Sequence, residues 1–225
     1  MTVDAGGATK VVSFPREEHI FVVLEGEGSI EYAGTKHPAR KHDFFYLPPG
    51  VAFGVHGGAA VRVRDIVMGF KIPAGIERVI PPQLPRANTD DVPKQVVGKH
   101  PPSTLYRLLM GDTKSTRDKI AAGHVMKSLL MMEFAAGGTN FPYHHEREEE
   151  IYLLLEGAGD MVAGSGVNGI EGRYPARPGD AYFYRVNATV GFYNANSAGA
   201  KPARILAVRP TFPFGIKQEG EPTPL

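Results

Sequence analysis

An internal repeat constrains the fold of this chain more than any other feature of its sequence. Residues 17–28 read EEHIFVVLEGEG and residues 148–159 read EEEIYLLLEGAG, so seven of twelve positions are identical at an offset of 131 residues. A second match, at an offset of 137, relates DFFYLPPGVAFG from Asp43 to DAYFYRVNATVG from Asp180. Units of this length are too long for a solenoid repeat and are typical of duplicated small domains.

Each copy of the repeat is predicted to form strands. The runs HIFVVLEG and EIYLLLEG are rich in β-branched, aromatic and aliphatic residues, end in glycine and are short for helices. The apolar run at 124–134, just before the second copy, is also predicted as a strand. Glycine and proline together supply 46 of the 225 residues. This abundance of turn formers favours an all-β protein.

Charge and cysteine content exclude several classes of protein. The formal net charge is only +1, whereas nucleic-acid binding draws on a basic excess that neutralises phosphates. No apolar run approaches the roughly 18 residues of a membrane span. The chain has no cysteine, which excludes disulfides and thiolate metal sites. Its start, MTVDAGGATK, lacks the apolar core of a signal peptide, so we expect a cytoplasmic protein without a nucleic-acid or membrane partner.

The same residues resemble the cupin superfamily. Its first motif runs Gly, five residues, His-x-His, three or four residues, Glu, six residues, Gly, and Gly138, His144, Glu150 and Gly157 fall at these spacings. The segment that ends at Asp180, RPGD, echoes the second motif. Because the resemblance covers both halves, it implies a bicupin: an all-β chain of two tandem cupin barrels, each a double-stranded β-helix or jelly roll.

The repeat and the proline content predict the domain boundaries. Residues 1–80 are expected to form a short N-terminal cupin barrel, and residues 119–215 a C-terminal barrel that carries the functional site. Between them, residues 81–118 contain six prolines and are expected to be a linker with one helical turn near 104–110. Residues 216–225 are expected to be a tail.

Among bicupins, the layout is most similar to the (S)-ureidoglycine aminohydrolase family. That family has a manganese site in its C-terminal barrel, held by Glu, His, His and Gln. The corresponding positions here hold His144, Glu146, Glu150 and Val190. The residue types are therefore permuted, and the fourth position is apolar.

The segment 143–150, YHHEREEE, is the candidate metal site on the residues alone. Imidazole and carboxylate together suit one divalent ion such as Mn, Fe or Zn. Since neighbours on a strand point to opposite faces, an inward His144 would bring Glu146 and Glu150 with it. An inward His145 would instead bring Tyr143. We favour the first register and keep both histidines as candidate ligands; the alternative is a charged loop without a metal.

Further candidate groups lie on the same strands of the second copy. Tyr152 shares a face with Glu150, and Tyr182 shares a face with Tyr184. Their hydroxyls could orient a polar substrate or act as acids, although ordinary barrel packing would also place them there. Arg185 could bind a substrate carboxylate through its planar fork, or lie exposed at the strand end.

The first copy has fewer candidate ligands. His19 occupies the position of Glu150, and Phe53 stands where the second cupin motif has its histidine. His56 lies three residues further on. A lone histidine inside a barrel is more often a hydrogen-bonded core residue than a ligand. We therefore expect this barrel to be free of metal.

The resemblance and the residues together predict a metal-dependent enzyme. It would act on a small polar metabolite in the C-terminal barrel, by ureide-type hydrolysis or proton transfer, with Glu146, Glu150 or Tyr152 as catalytic groups. The alternatives are a non-catalytic small-molecule-binding bicupin with a degenerate metal site, or a metal-dependent isomerase, cyclase or dioxygenase.

The short N-terminus predicts an assembly. Only about a dozen residues precede the first motif, enough for one short strand at roughly 3.3 Å per residue. The first barrel would then need residues 81–118 or a second subunit to cover its open side. A closed two-fold interface is the common solution, and we expect a homodimer.

Overall fold

The structure is a computed structural model that describes residues 1–164 and 171–211. Within these residues it is built from strands, with one short 3-10 turn at Thr89–Asp91. No helix in the described part of the chain is long and apolar enough to cross a bilayer. The predicted tail at 216–225 and the last residues of the predicted C-terminal barrel lie outside the described residues.

Contacts divide the chain into two compact units. The N-terminal unit comprises Met1–Val92 and Gly111–Val125, and the C-terminal unit comprises Pro93–Met110 and the chain from Met126 onward. Residues 81–118, expected as a linker, contain β7 and β8. The predicted helical turn near 104–110 is wrong, because TLYRLLMGD forms the strand β8 (Thr104–Asp112).

A long bent strand organises the N-terminal unit. β2 pairs with β4 and β6 through its first half and with β3 and β5 through its second half, and its ladder with β6 shifts register between Val23 and Glu25. The strands of the unit, with β9 from its second segment, are β1 (Thr2–Val3), β2 (Glu17–Tyr32), β3 (Thr35–Arg40), β4 (Asp43–Leu47), β5 (Phe53–Gly57), β6 (Val63–Lys71), β7 (Arg86–Asn88) and β9 (Ile120–Gly123).

Two sheets form the C-terminal unit. One has the order β14-β11-β16-β10-β8 and the other has the order β13-β12-β15. The predicted strand at 124–134 is confirmed as β10. The remaining strands are β10 (Met126–Phe134), β11 (Glu150–Glu156), β12 (Gly159–Gly164), β13 (Glu171–Ala176), β14 (Ala181–Tyr184), β15 (Thr189–Asn194) and β16 (Ala203–Pro210).

The strand registers confirm the duplication. In the first unit His19 pairs with Leu47, and in the second Glu150 pairs with Tyr184. These two pairs differ by 131 and 137 residues, the two offsets of the sequence repeat. The repeat therefore preserves the alignment of neighbouring strands as well as their sequence, and His19 and Glu150 occupy equivalent positions.

Two glycines of the repeat are required by their backbone. Gly26 has φ +77°, and a Cβ there would lie 1.8 Å from the carbonyl oxygen of Arg62. Gly157 has φ +86°, and its Cβ would lie 2.7 Å from Cα of Ala203. Both the left-handed conformation and the close approach of a neighbouring strand exclude a side chain.

Each unit encloses its own apolar core. The core of the N-terminal unit includes Phe21, Ile30 and Phe45. That of the C-terminal unit includes Phe134 and Phe192, whose ring centroids lie 5.0 Å apart. Burying such side chains stabilises the fold by about 1.5–3 kcal/mol each.

A buried carboxylate joins the two segments of the N-terminal unit. Glu18 is fully buried. It accepts hydrogen bonds from the backbone N–H groups of His124 at 2.7 Å and Val125 at 2.9 Å, and from the Tyr46 hydroxyl at 2.9 Å. In the same unit β7 pairs with β4. Residues from 81–118 thus add a strand to the first barrel, and the homodimer stays a prediction.

Candidate functional site

Glu150 is a buried carboxylate on the inner face of the C-terminal unit. It is 1% exposed and opens β11, two positions before the fully buried Tyr152. On the neighbouring strand β14, Glu150 pairs with Tyr184 and Tyr152 pairs with Tyr182. Strand alternation therefore brings these four predicted side chains to one face of the sheet.

Arg209 lies on β16, which flanks β11 on the side away from β14. Ile151 on β11 pairs with Val208 on β16, and the backbone N–H of Glu149 donates to the carbonyl of Pro210 at 3.1 Å, so Glu150 lies opposite Arg209. On the other side of β16, Arg209 pairs with Ser128 of β10, and its Nη2 donates a hydrogen bond to Ser128 Oγ at 3.0 Å. A fixed cation and the buried carboxylate thus occupy adjacent strands.

A chain of hydrogen bonds ends at Glu150. The Asn140 amide donates to the Tyr152 hydroxyl at 3.0 Å, and its Oδ1 is fixed by the backbone N–H of Phe192 at 3.0 Å. The hydroxyls of Tyr152 and Tyr143 lie 2.9 Å apart, and Tyr143 donates to Glu150 Oε2 at 3.3 Å. Since Asn140 donates at one end and a carboxylate accepts at the other, every hydroxyl donates towards Glu150.

The two tyrosines of this chain are hydrogen-bond donors at neutral pH. Burial, and after it the charge of Glu150, raises the pKa of Tyr143 and Tyr152 well above 10. An anionic phenol in this interior would be desolvated and would face a carboxylate. The hydroxyls can therefore orient a ligand or the carboxylate, but they cannot serve as bases.

Four buried polar atoms beside this chain have no hydrogen-bond partner among the described residues. They are Glu150 Oε1, the hydroxyls of Tyr106 and Tyr184, and Nε of Arg209. Buried polar groups are normally paired, because leaving one unpaired costs about 1–3 kcal/mol. Those of Glu150, Tyr184 and Arg209 belong to neighbouring strands of one sheet and offer an acceptor and two donors.

His145 is the histidine that contacts Glu150. Its Nε2 lies 3.2 Å from Glu150 Oε2 and 3.2 Å from Arg209 Nη1, and its side chain is 16% exposed. An imidazole nitrogen carries either a proton or a lone pair. At any one time, Nε2 of His145 can therefore donate to Glu150 or accept from Arg209, but it cannot do both.

The structure follows the second of the two predicted registers. Tyr143 bridges to Val190 on β15 and turns inward, so His145 turns inward as well, while His144 and Glu146 are exposed. The favoured register, in which His144 and Glu146 point inward, is wrong, because the chain bends at residues 146–147 before β11 begins. Alternation counted back from β11 does not continue through a bend.

These residues do not fit a divalent metal ion. Among the described residues no group of three or more histidine, aspartate or glutamate side chains is placed to hold one. His145 and Glu150 are the two predicted ligands that meet. The nitrogen that would bind the ion lies 3.2 Å from the Arg209 guanidinium, and like charges at such a distance repel. The fourth predicted position, Val190, is buried and apolar.

The other predicted substrate residues are not gathered at Glu150. Tyr182 is partly exposed, and its hydroxyl donates to the carbonyl of Pro175 at 3.5 Å. Arg185 is exposed at the end of β14. Tyr184, by contrast, is 3% exposed and packs against Tyr152 at 5.5 Å between ring centroids. Of this group, Tyr184 alone is buried beside the carboxylate.

His19 lies among aromatic rings in the N-terminal unit. Its ring centroid is 4.7 Å from that of Phe14 and 5.5 Å from that of Phe53. Burial lowers its pKa, although the nearby Glu17 raises it. His56 pairs separately with Glu31 at 2.9 Å. The two histidines therefore have different partners.

Two residues of the candidate site, Asn140 and Arg209, were not predicted from the sequence. Asn140 lies in a loop whose side-chain directions follow no periodicity. Arg209 could have been found, because it is a charged residue in the apolar run ARILAVRP and shares a face with Ala207 and Ile205, both of which are buried. A charge on the buried face of a strand is uncommon and indicates a specific partner.

Two cavities among the described residues lie away from this site. One of about 690 Å³ in the N-terminal unit is lined in part by Arg40 and Asp43, which pair with one another. Another of about 500 Å³ in the C-terminal unit lies beside Arg173, which stacks over Tyr193 at 3.8 Å. Neither is lined by Glu150 or His145. The candidate site is therefore located by its buried polar groups.

Comparison with known proteins supports the fold. No protein-family model and no curated protein matches the chain. Among solved structures it is similar to a putative glyoxylate-induced protein from Pseudomonas aeruginosa, at 17% identity over 98% of this chain and 75% of that one, with a TM-score of 0.74. It is also similar to an oxalate decarboxylase from Lactobacillus farciminis in a formate complex, at 11% identity over 93% and 75%, with a TM-score of 0.69.

A third similar structure is itself a cupin. It is a cupin 2 conserved barrel domain protein from Leptotrichia buccalis, at 12% identity over 93% of this chain and 80% of that one, with a TM-score of 0.57. The structures similar to this chain thus include an enzyme, but at these identities the likeness carries the fold and not the reaction. With its two all-β units of matching register, the chain therefore has the fold of these cupin structures, arranged as two tandem cupin-type barrels.

Proposed function

We propose that this bicupin binds a small polar molecule in its C-terminal unit, with Glu150 as the anchoring group and without a metal ion. The proposal is supported by the different surroundings of the two oxygens of the Glu150 carboxylate. One oxygen, Oε2, is held by Tyr143 and faces His145, whereas Oε1 is buried and has no partner among the described residues. A ligand that donates an N–H or O–H to Oε1 would satisfy it.

The neighbours of Glu150 define the kind of ligand. Tyr184 pairs with Glu150 on the neighbouring strand, and its hydroxyl can donate to a carbonyl or hydroxyl oxygen. The charges of Glu150 and Arg209 offset one another, so the site gives no net preference for an ion. We therefore expect an uncharged molecule with both a donor and an acceptor, such as an amide, a urea derivative or a polyol.

A thermal-shift screen with matched variants tests this function. Small amides, urea derivatives and polyols are added to the wild-type protein, and compounds that raise Tm are confirmed by calorimetry. A ligand present at 100 times its Kd stabilises the folded state by about 2.7 kcal/mol. Glu150→Gln should abolish the shift, because the amide keeps one acceptor oxygen for the Tyr143 hydroxyl and presents an NH₂ donor in place of Oε1.

Glu146→Gln is the matched control. Glu146 lies in the same acidic segment but is exposed, so this variant should bind as the wild type does. Circular dichroism verifies that both variants fold. Equal binding by Glu150→Gln and the wild type would contradict the proposal.

Proton transfer is a second candidate function of the same residues. The hydroxyls of Tyr152 and Tyr143 donate towards Oε2, which leaves Oε1 as the oxygen free to accept a proton from a bound molecule. NMR exchange of a bound compound's C–H protons with D₂O tests it. Exchange that Glu150→Gln removes supports catalysis, and binding without exchange supports a binding function alone. Stoichiometric metal in the purified protein would instead favour metal-dependent hydrolysis.

A further inference from the structure

The two units differ in the residue that lies opposite His19 in the first unit and opposite its equivalent, Glu150, in the second. In the N-terminal unit His19 on β2 pairs with Gly69 on β6. In the C-terminal unit Arg209 lies opposite Glu150 on the corresponding strands, between the Ile151–Val208 pair and the hydrogen bond from Glu149 N–H to Pro210 O. A Cβ at Gly69 would already lie 3.0 Å from the His19 ring, so the first unit has no room for a long side chain there. Arginine is therefore a feature of the second unit and not of the duplicated fold.

The Arg209 guanidinium is held by contacts with the side chains of Ser128 and His145. Its Nη2 donates to Ser128 Oγ at 3.0 Å, and its Nη1 lies 3.2 Å from His145 Nε2. Its Nε is buried without a partner among the described residues. A guanidinium stays protonated at any ordinary pH. The positive charge is thus a permanent part of the site.

We infer that Arg209 is the resident cation of the Glu150 site and excludes divalent metal ions from it. Its charge offsets the buried carboxylate, a role that an ion held by His145 and Glu150 would otherwise take. It also lies against the imidazole nitrogen that such an ion would need. Arg209 thereby restricts the site to uncharged polar ligands. This inference uses the site of the proposed function, but its test does not depend on finding the ligand.

Replacement of Arg209 should convert the site into a metal site. In Arg209→His, two imidazoles and the Glu150 carboxylate would face one another, a donor set that suits Co²⁺ and Zn²⁺. Titration with CoCl₂ at neutral pH, followed by calorimetry and by the Co²⁺ visible spectrum, should show one ion per chain. We expect affinity on the order of 10–100-fold above that of the wild type, the range over which neighbouring groups change metal affinity.

Three further variants separate charge from general disruption. Arg209→Met removes the charge and should also raise Co²⁺ affinity, whereas Arg209→Lys keeps the charge and should not. Arg204→Met is the control on the same strand, because Arg204 faces the other way and pairs with Glu156 at 3.1 Å. It should bind Co²⁺ no better than the wild type.

The titrations can overturn the inference directly. Stoichiometric Co²⁺ binding by the wild type, as tight as that of Arg209→His, would show that Arg209 excludes nothing. The absence of any gain in both folded variants, Arg209→His and Arg209→Met, would show the same. A failed ligand screen contradicts the proposed function alone, since the metal titrations use no organic ligand.

Discussion

The hydroxyls of Tyr143 and Tyr152 lie 2.9 Å apart, with Tyr143 donating onward to Glu150. Tyr143→Phe removes the link between them and leaves the Tyr152 hydroxyl without its acceptor. We expect the free energy of unfolding to fall by about 1–2 kcal/mol. Urea denaturation measures the change.

Tyr182→Phe is the control for that prediction. The Tyr182 hydroxyl makes one long, exposed contact of 3.5 Å, so its loss should change stability by less than about 0.5 kcal/mol. Equal effects of the two substitutions would show that the Tyr143 hydroxyl has no structural role.

Glu18 should be a main support of the N-terminal unit. Glu18→Ala leaves two backbone N–H groups and the Tyr46 hydroxyl without their acceptor in a buried site. Loss of one partner from such a network costs about 3–5 kcal/mol. Glu25→Ala, which removes an exposed pair with Arg64 at 3.2 Å, should cost under about 1 kcal/mol. A small effect of Glu18→Ala in urea denaturation would contradict this account of the unit.

The duplicated strands were predictable because their sequence pattern is regular. The two offsets of the repeat aligned β2 with β11 and β4 with β14, and the registers agree. β8 was not predicted, since the prolines around it favoured a linker and its backbone pairing depends on residues distant in sequence. The same limit applies to Glu18, whose two backbone donors, His124 and Val125, lie more than 100 residues away.

The candidate site was predictable in part for the same reason. Glu150 and Tyr184 follow from strand alternation on β11 and β14. The choice between His144 and His145 does not, because a bend at residues 146–147 and the positive φ of 53° at Phe141 interrupt the alternation. Arg209 acquires its role only when β16 pairs with β11.

Gly26 should tolerate no side chain. Gly26→Ala combines a left-handed φ with a Cβ placed 1.8 Å from the carbonyl oxygen of Arg62, the residue directly before β6, and we expect a loss above about 2 kcal/mol. Gly34→Ala has a similar φ of +83° but open space around its Cβ, so it should cost about 1 kcal/mol. Equal unfolding midpoints for the two variants would contradict the close approach of β2 and β6.

Asp65 should make stability depend on pH. It is 2% exposed, and burial raises its pKa to about 6, although the charge of the chain's amino group lowers it. The folded state therefore holds this proton more tightly than the unfolded state, whose aspartate has a pKa near 3.8. Asp65 favours folding fully below about pH 4, and this advantage is lost as pH rises to 6.

Asp65→Asn isolates that contribution, because the amide stays neutral. The variant should match the wild type near pH 4 and exceed it by on the order of 2 kcal/mol at pH 7. Urea denaturation across this range measures the difference. A difference that does not grow between pH 4 and 6 would show that Asp65 titrates normally.

The central claim is that the Glu150 site holds its charge balance within the chain and needs no metal ion. Elemental analysis of the purified protein, after dialysis against Mn²⁺, Fe²⁺ or Zn²⁺ and then against metal-free buffer, tests it most directly. The account predicts far less than one ion per chain in the wild type and a clear gain in Arg209→His. One tightly bound ion per wild-type chain, lost in Glu150→Gln, would contradict it.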